Sequence, residues 1–207
     1  IPFLRNRLGK NGEMLHRFAT GQDCSPVAIF GETPPVKSVS NSITTVRDLV
    51  CRDDAFRVVM ALCQSVGSRM RTNNIKCRRV TVFLRTNELI HSTRQVTLPD
   101  YTNRDSDLLR AAMSIVDSEH NWRIPLRSVG VSASLLSNGC AGGQTDLFTD
   151  QKKLQQMDKL ESQLDRLKSK YGNGIVVPAT MLVDPDLVAF EYGYKFNPFG
   201  IRSGNEL

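Results

Sequence analysis

The sequence predicts an α+β domain of order β-α-β-β-α-β: a four-stranded antiparallel sheet with two helices on one face, followed by a helical tail. Three observations predict it. Between residues 37 and 136, four stretches alternate in character with a period of two, as half-buried strands do. Two stretches between them carry apolar residues at spacings of three and four, as half-buried helices do. Their order is that of the ferredoxin-like split unit, in which both helices pack on the same side of one sheet.

The elements follow in turn. Lys37 to Thr45 is rich in Ser, Thr, Val and Ile and alternates like a strand. Asp53 is placed to cap a helix in which Ala55, Val59, Leu62, Cys63, Val66 and Met70 form one apolar face. Arg78 to Thr86 puts Val80, Val82 and Leu84 on one side and Arg79, Thr81, Phe83 and Arg85 on the other. The connection Thr86-Asn87-Glu88-Leu89 leads into a strand over Ile90–Leu98, which Pro99 is expected to stop. Asp105 to Val116 is a second helix, with Leu108, Leu109, Ala112, Met113 and Val116 inward, and Leu126 to Leu136 is the last strand, with Val129, Val131, Ala133 and Leu135 on one face. Two helices cover only one side of such a sheet. The other side, left to solvent or a partner, carries Ser, Thr and Arg.

Outside this domain the signals are simpler. Asn11 to Ala19 reads as a helix with Met14, Leu15 and Phe18 on one face and Gly21 at its end. Residues 29–36 include Gly31-Glu32-Thr33-Pro34-Pro35-Val36 and read as a tether. Ser137 to Gly143 is a Gly-containing linker. Gln151 to Tyr171 is a long helix with Leu154, Met157, Leu160, Leu164 and Leu167 as a docking stripe, and Gly172 to Leu207 reads as irregular or partly disordered.

Composition narrows the function. Apolar residues make up 40% and charged residues 23% of the 207, the values of a globular chain. No apolar run approaches the roughly 18 residues of a membrane helix, so no membrane partner is expected, and the chain is read as cytoplasmic. The N-terminus, Ile1-Pro2-Phe3-Leu4-Arg5, has neither an initiator Met nor a signal-peptide pattern, and reads as a cut inside a longer protein. Five scattered cysteines and three scattered histidines give no metal-ligand spacing and fit a reducing compartment. The net charge of +6 is unevenly placed: residues 37–136 hold 15 basic and 9 acidic residues, a balance of +6, whereas residues 1–36 balance at +1 and residues 137–207 at −1. That placement suggests a polyanion partner; the other reading is a solvated surface that happens to be basic.

Three stretches resemble one family in its own order. Gly12-Glu13-Met14-Leu15-His16-Arg17-Phe18-Ala19-Thr20-Gly21 is similar to the last thumb helix of Y-family lesion-bypass DNA polymerases. Lys37-Ser38-Val39-Ser40-Asn41-Ser42 resembles the segment that opens their little-finger domain, and Leu126-Arg127-Ser128-Val129-Gly130-Val131 its last strand. Ser40 stands where many relatives have Gly, and Ser128 where some have a basic residue. The likeness is to the bacterial DNA polymerase IV-like and UmuC-like branch (the ImpB/MucB/SamB family). It implies the end of a thumb at 1–28, a tether at 29–36, a little finger at 37–136, a linker with a clamp-binding motif at 137–149, and a helix with an irregular tail at 150–207. It also implies a parent that is a magnesium-dependent, DNA-directed DNA polymerase of the SOS response and translesion repair. The catalytic palm lies upstream in that family, so this part would carry no catalytic residue, cofactor, metal or small-molecule substrate, and would be inactive alone. Asp53-Asp54 is the one adjacent acidic pair that invites a catalytic reading, but a helix start accounts for it better.

The family binds primer–template DNA through the open sheet face, without reading sequence. Strand alternation nominates Lys37, Ser38, Ser40, Ser42 and Thr44 from the first strand, then Arg79, Thr81 and Arg85 from the second. Ser92 and Arg94 are nominated from the third, and Ser128, Gly130 and Ser132 from the fourth. Hydroxyls, backbone N–H groups and guanidinium groups there would meet phosphate oxygens; the other reading of each is a solvated strand residue. A second binding signal is Gln144-Thr145-Asp146-Leu147-Phe148, which matches the Gln-x-Asp/Ser-Leu-Phe pattern of bacterial sliding-clamp ligands without a mismatch. Leu147 and Phe148 would bury in an apolar pocket, with Gln144 at its rim and Asp146 between. The alternative there is that Leu147 and Phe148 pin the linker to this protein's own core. The competing class for the whole domain is a ferredoxin-like RNA-binding module, but that would need aromatic residues in an RNP1-type pattern, and Phe83 is alone on its face.

Overall fold

The structure is a computed structural model that describes residues 1–27, 29–30, 35–138 and 151–192. It divides into two compact units, Ile1–Pro35 and Val36–Leu207. The first unit contains α1 (Pro2–Leu8) and α2 (Lys10–Ala19). The pattern predicts only α2. The seven residues of α1 are too few to show a period, although Pro2 at the first turn is a fitting start. Met14, Leu15 and Phe18 are 45%, 48% and 46% exposed, and of α2 only Gly12 is buried.

The second unit runs β1 (Ser38–Leu49), α3 (Arg52–Thr72), β2 (Ile75–Thr86), β3 (His91–Thr102), α4 (Asp105–Glu119), β4 (Leu126–Asn138) and α5 (Gln151–Tyr171). Three short 3₁₀ turns and α6 (Ala189–Tyr192) follow. The sheet order is β1-β4-β2-β3, and every neighbouring pair is antiparallel. The expected α+β arrangement is present, with β4 inserted between β1 and β2. One face of the sheet meets α3 and α4. Val58, Leu62, Val66 and Met70 of α3, with Leu108, Ala112 and Val116 of α4, are fully buried against Val80, Val82, Val129, Val131 and Ala133. Each large side chain among them contributes about 1.5–3 kcal/mol through removal from water.

Three details differ from the sequence reading. Pro99 does not end β3; the strand continues to Thr102 through an irregular stretch opposite Cys77–Arg79. β3 lies at the sheet edge, where a residue without an N–H leaves no ladder partner unmet. Leu135 is not inward: it has φ 51° and is 44% exposed, while Leu136 packs on the core. The N-cap of α3 is Cys51, so Asp53 is no cap. Asp54 instead lies buried between Arg47 (2.7 Å) and Arg57 (3.0 Å), and the Arg47 guanidinium foremost holds its carboxyl below the usual carboxylate range.

The tail differs most. Its described part is ordered as short turns, and Met181, Leu187, Val188 and Tyr192 are buried in the same core. Arg47 of β1 ties it down by bridging Asp54 and Asp184 (2.7 Å to each), and Arg57 Nε donates to the Thr180 carbonyl at 3.2 Å.

Candidate nucleic-acid interface

Antiparallel pairing and two-residue alternation together place side chains on the uncovered face in a four-by-four lattice. Across β1, β4, β2 and β3 the rows are Ser38–Ser134–Arg79–Thr97, Ser40–Ser132–Thr81–Gln95, Ser42–Gly130–Phe83–Thr93 and Thr44–Ser128–Arg85–His91. Strand spacing and rise make this lattice about 14 by 20 Å. It contains no carboxylate and no aliphatic side chain.

Charge is distributed unevenly through the unit. Arg47, Arg52, Arg57, Arg71, Arg94, Arg104, Arg110 and Arg127 all pair with carboxylates. Arg79 and Arg85 make no ion pair among the described residues, and the Nε of each is buried without an acceptor. The outer end of Arg85 is held in place: Nη2 donates to Ser128 Oγ at 3.0 Å, and that hydroxyl lies 2.7 Å from Thr44 Oγ1. Two uncompensated guanidinium groups among hydroxyls form a surface that attracts anions and offers them donors.

The face dips at Gly130. A Cβ there would overlap Ser42 Cβ at 2.8 Å, so the missing side chain lets β1 and β4 approach here, and the Phe83 ring lies in ordinary contact range of the same position, at 3.4 Å from Cδ2. A shallow groove of ≈ 420 Å³ opens at this point, lined among others by Ser42, Phe83, Arg85, Thr93 and Ser128. Phe83 is 44% exposed.

The structure brings most of the nominated residues to this face: Ser38, Ser40, Ser42, Thr44, Arg79, Thr81, Arg85, Ser128, Gly130 and Ser132. Lys37 lies just before β1 and is exposed. Ser92 and Arg94 are a correction. They pair across from Leu84 and Val82, on the helix-covered side, and both bond to Glu119 at the end of α4 (3.5 Å and 3.0 Å). The positions of β3 that do face outward are His91, Thr93, Gln95 and Thr97, none of them nominated. The signal was present in the sequence: Val96 and Leu98 share their parity with Ser92 and Arg94. Gln144, Asp146, Leu147 and Phe148 lie outside the described residues.

The fold and the face define a domain of two helices on a four-stranded antiparallel sheet whose open side is basic and free of carboxylates. Residues 36–147 match the C-terminal domain of the impB/mucB/samB family, and the chain belongs to that family. The chain is similar to DNA polymerase IV of Acetivibrio thermocellus, with 35% identity over 185 residues, covering 89% of this chain and 46% of that protein. It is also similar to DNA polymerase IV of Moorella thermoacetica, with 31% identity over 183 residues, covering 88% and 44%. The chain thus spans about half the length of the curated relatives it matches. A solved complex of a beta-clamp processivity factor with the little finger domain of PolIV shares 18% identity at a TM-score of 0.41, covering 54% of this chain and 99% of that one. Among the described residues, no helix is long and apolar enough to cross a membrane.

Proposed function

We propose that this chain is the C-terminal, non-catalytic part of a lesion-bypass DNA polymerase, and that its open sheet face grips primer–template DNA through the backbone. The observation that carries this reading is the lattice itself: hydroxyls, two unpaired guanidinium groups and no carboxylate. Such a face meets phosphates without reading bases, as a polymerase working on damaged template requires. The parent is then a magnesium-dependent, DNA-directed DNA polymerase of translesion repair, with its metal held upstream. In this reading residues 1–28 end a thumb, 29–36 are a tether, 37–136 are the little finger, and 150–207 follow the clamp peptide.

Gln144-Thr145-Asp146-Leu147-Phe148 is the proposed sliding-clamp ligand. The names of the relatives support the polymerase reading, and the peptide's match to the clamp-ligand pattern supports the partner. Clamp tethering would raise the local concentration of a weak DNA grip.

Titration of primer–template DNA with the purified chain tests the grip. Binding is expected at low salt and should fall steeply as salt rises, with no preference among DNA sequences. No binding at low salt, or strong preference for one sequence, overturns it. Calorimetry against a bacterial clamp tests the peptide: Leu147→Ala with Phe148→Ala should abolish the heat. Primer extension by the chain alone should give no product.

A further inference from the structure

The proposed DNA grip leaves Phe83 unexplained. It is the one phenyl ring of the lattice, 44% exposed on a face otherwise made of hydroxyls, one amide, arginines, one glycine and, at the far corner, the imidazole of His91. Contact with phosphate needs no ring there, and an exposed apolar side chain in the middle of a polar face gains nothing from water. The ring lies beside Gly130: a Cβ there would overlap Ser42 at 2.8 Å and stand 3.4 Å from Phe83 Cδ2, in ordinary contact. Arg85 stands two residues along the same strand, about 6.7 Å away, with its terminal nitrogen held by Ser128.

We propose that Phe83 is a stacking platform for an unpaired DNA base, so that the face takes single-stranded template as well as duplex. The inference rests on the DNA-binding reading above and names a substrate form within it. The argument is geometric. Inside a duplex both faces of a base are covered by its neighbours, so an exposed ring on a flat sheet can stack only on a base that has left the helix or was never paired. The groove at Gly130 gives such a base room beside the ring. Arg85 and Thr81, the residues flanking Phe83 on this face, then stand where the phosphates on either side of the stacked nucleotide would pass. The absence of carboxylates makes this surface complementary to a strand that carries one charge per nucleotide.

The test compares two strands that differ only in their bases: a short oligothymidylate and an abasic strand of equal length, each titrated with the whole chain at low salt. The unmodified protein is expected to bind oligothymidylate about fivefold or more tightly than the abasic strand, a lower bound set by one stacked base. Phe83→Leu, which keeps apolar bulk, should erase that difference, and Phe83→Tyr should keep it. Arg85→Ala should weaken both strands alike. Equal binding of the two strands by the unmodified protein overturns the stacking proposal while leaving the backbone grip standing. A difference that survives in Phe83→Leu also overturns it. Failure to bind any DNA, duplex included, overturns the grip itself. Circular dichroism of each variant checks that the fold is kept.

Discussion

Arg79 and Arg85 are set apart by what they lack. Most arginines behind the sheet are neutralised by carboxylates, whereas these two keep a buried Nε without an acceptor. A buried donor left unmet costs about 1–3 kcal/mol, which a phosphate oxygen would offset. Arg79→Ala and Arg85→Ala should therefore weaken DNA binding for every sequence alike, each lowering the slope of log affinity against log salt by about one. Arg94→Ala should leave affinity within about twofold, since its guanidinium faces Glu119 on the other side and is already paired. Anisotropy titrations across a salt series measure both; a loss with Arg94→Ala equal to that with Arg79→Ala would place the DNA on the wrong face. The contrast also shows what residue-level reading could recover. On β1, β2 and β4, apolar alternation and useful chemistry agree, and the lattice is legible. On β3 they conflict: Ser92 and Arg94 look like phosphate ligands, but Val96 and Leu98 fix their parity toward the helices. A charged side chain near a sheet edge can still reach water, so the period was the safer guide than the residue type.

α5 illustrates the same conflict for a whole element. Its leucine stripe predicts docking by apolar contact, yet Leu160 and Leu167 remain 52% and 42% exposed. Leu154, Met157 and Leu164 of the stripe are half-buried, and the helix docks as well through Asp158, Glu161, Asp165 and Lys168, a charged stripe at spacings of three and four that the apolar pattern obscures. Arg71 at the end of α3 donates to Asp165 (2.5 Å), Asp105 (2.8 Å) and Glu161 (2.9 Å); Arg104 donates to Asp158 (2.6 Å), and Lys168 to Gln64 at 3.1 Å. Gly67 makes this possible, because a Cβ there would overlap the Asp105 carboxylate. Three carboxylates around one guanidinium are too many. Burial, and then the neighbouring Asp105, push the Glu161 carboxyl up to about 7. The folded state then binds a proton that the unfolded chain releases near its ordinary carboxyl value. This contribution to stability is full below that value and is lost as pH rises toward 7. The unfolding free energy from urea titrations should accordingly fall between about pH 5 and about pH 8, by an amount on the order of 1–3 kcal/mol. Glu161→Gln should flatten much of that slope. An unchanged slope in Glu161→Gln would assign it to other groups. Arg71→Met should cost about 3–5 kcal/mol at neutral pH, because it strands buried carboxylates.

At the scale of the molecule, the order of elements was legible but two features were not. The string β-α-β-β-α-β does not say which later strand enters the gap between β1 and β2; long-range pairing decides that, and here it is β4. The extent of the core was hidden for a different reason. Residues 172–192 have no helical or strand period, since short 3₁₀ turns present single apolar side chains at irregular intervals. Met181, Leu187 and Val188 are nonetheless as buried as the centre of α3, and they cover its flank beside the partly buried Phe56 and Met60. The family match ends at 147, whereas the packed body reaches at least Tyr192. The tail is thus part of the domain's stability, anchored by Arg47 on Asp184 and by Tyr192 Oη on Gln64 at 2.6 Å. Leu187→Ala should destabilise the chain by about 2–5 kcal/mol, the cost of emptying a closed site. A chain ended at Asn138 should lose more, because it removes Met181, Leu187, Val188 and Tyr192 from the core and leaves Arg71 and Arg104 without their α5 carboxylates. Urea denaturation followed by far-ultraviolet circular dichroism measures both. If the shortened chain unfolds at the same midpoint as the full one, α5 and the tail rest on the domain without supporting it. A lower midpoint with cooperative loss of helix and sheet together makes them one folding unit. The proposed clamp peptide at 144–148 would then fall, in sequence, between two elements of one folding unit, β4 and α5.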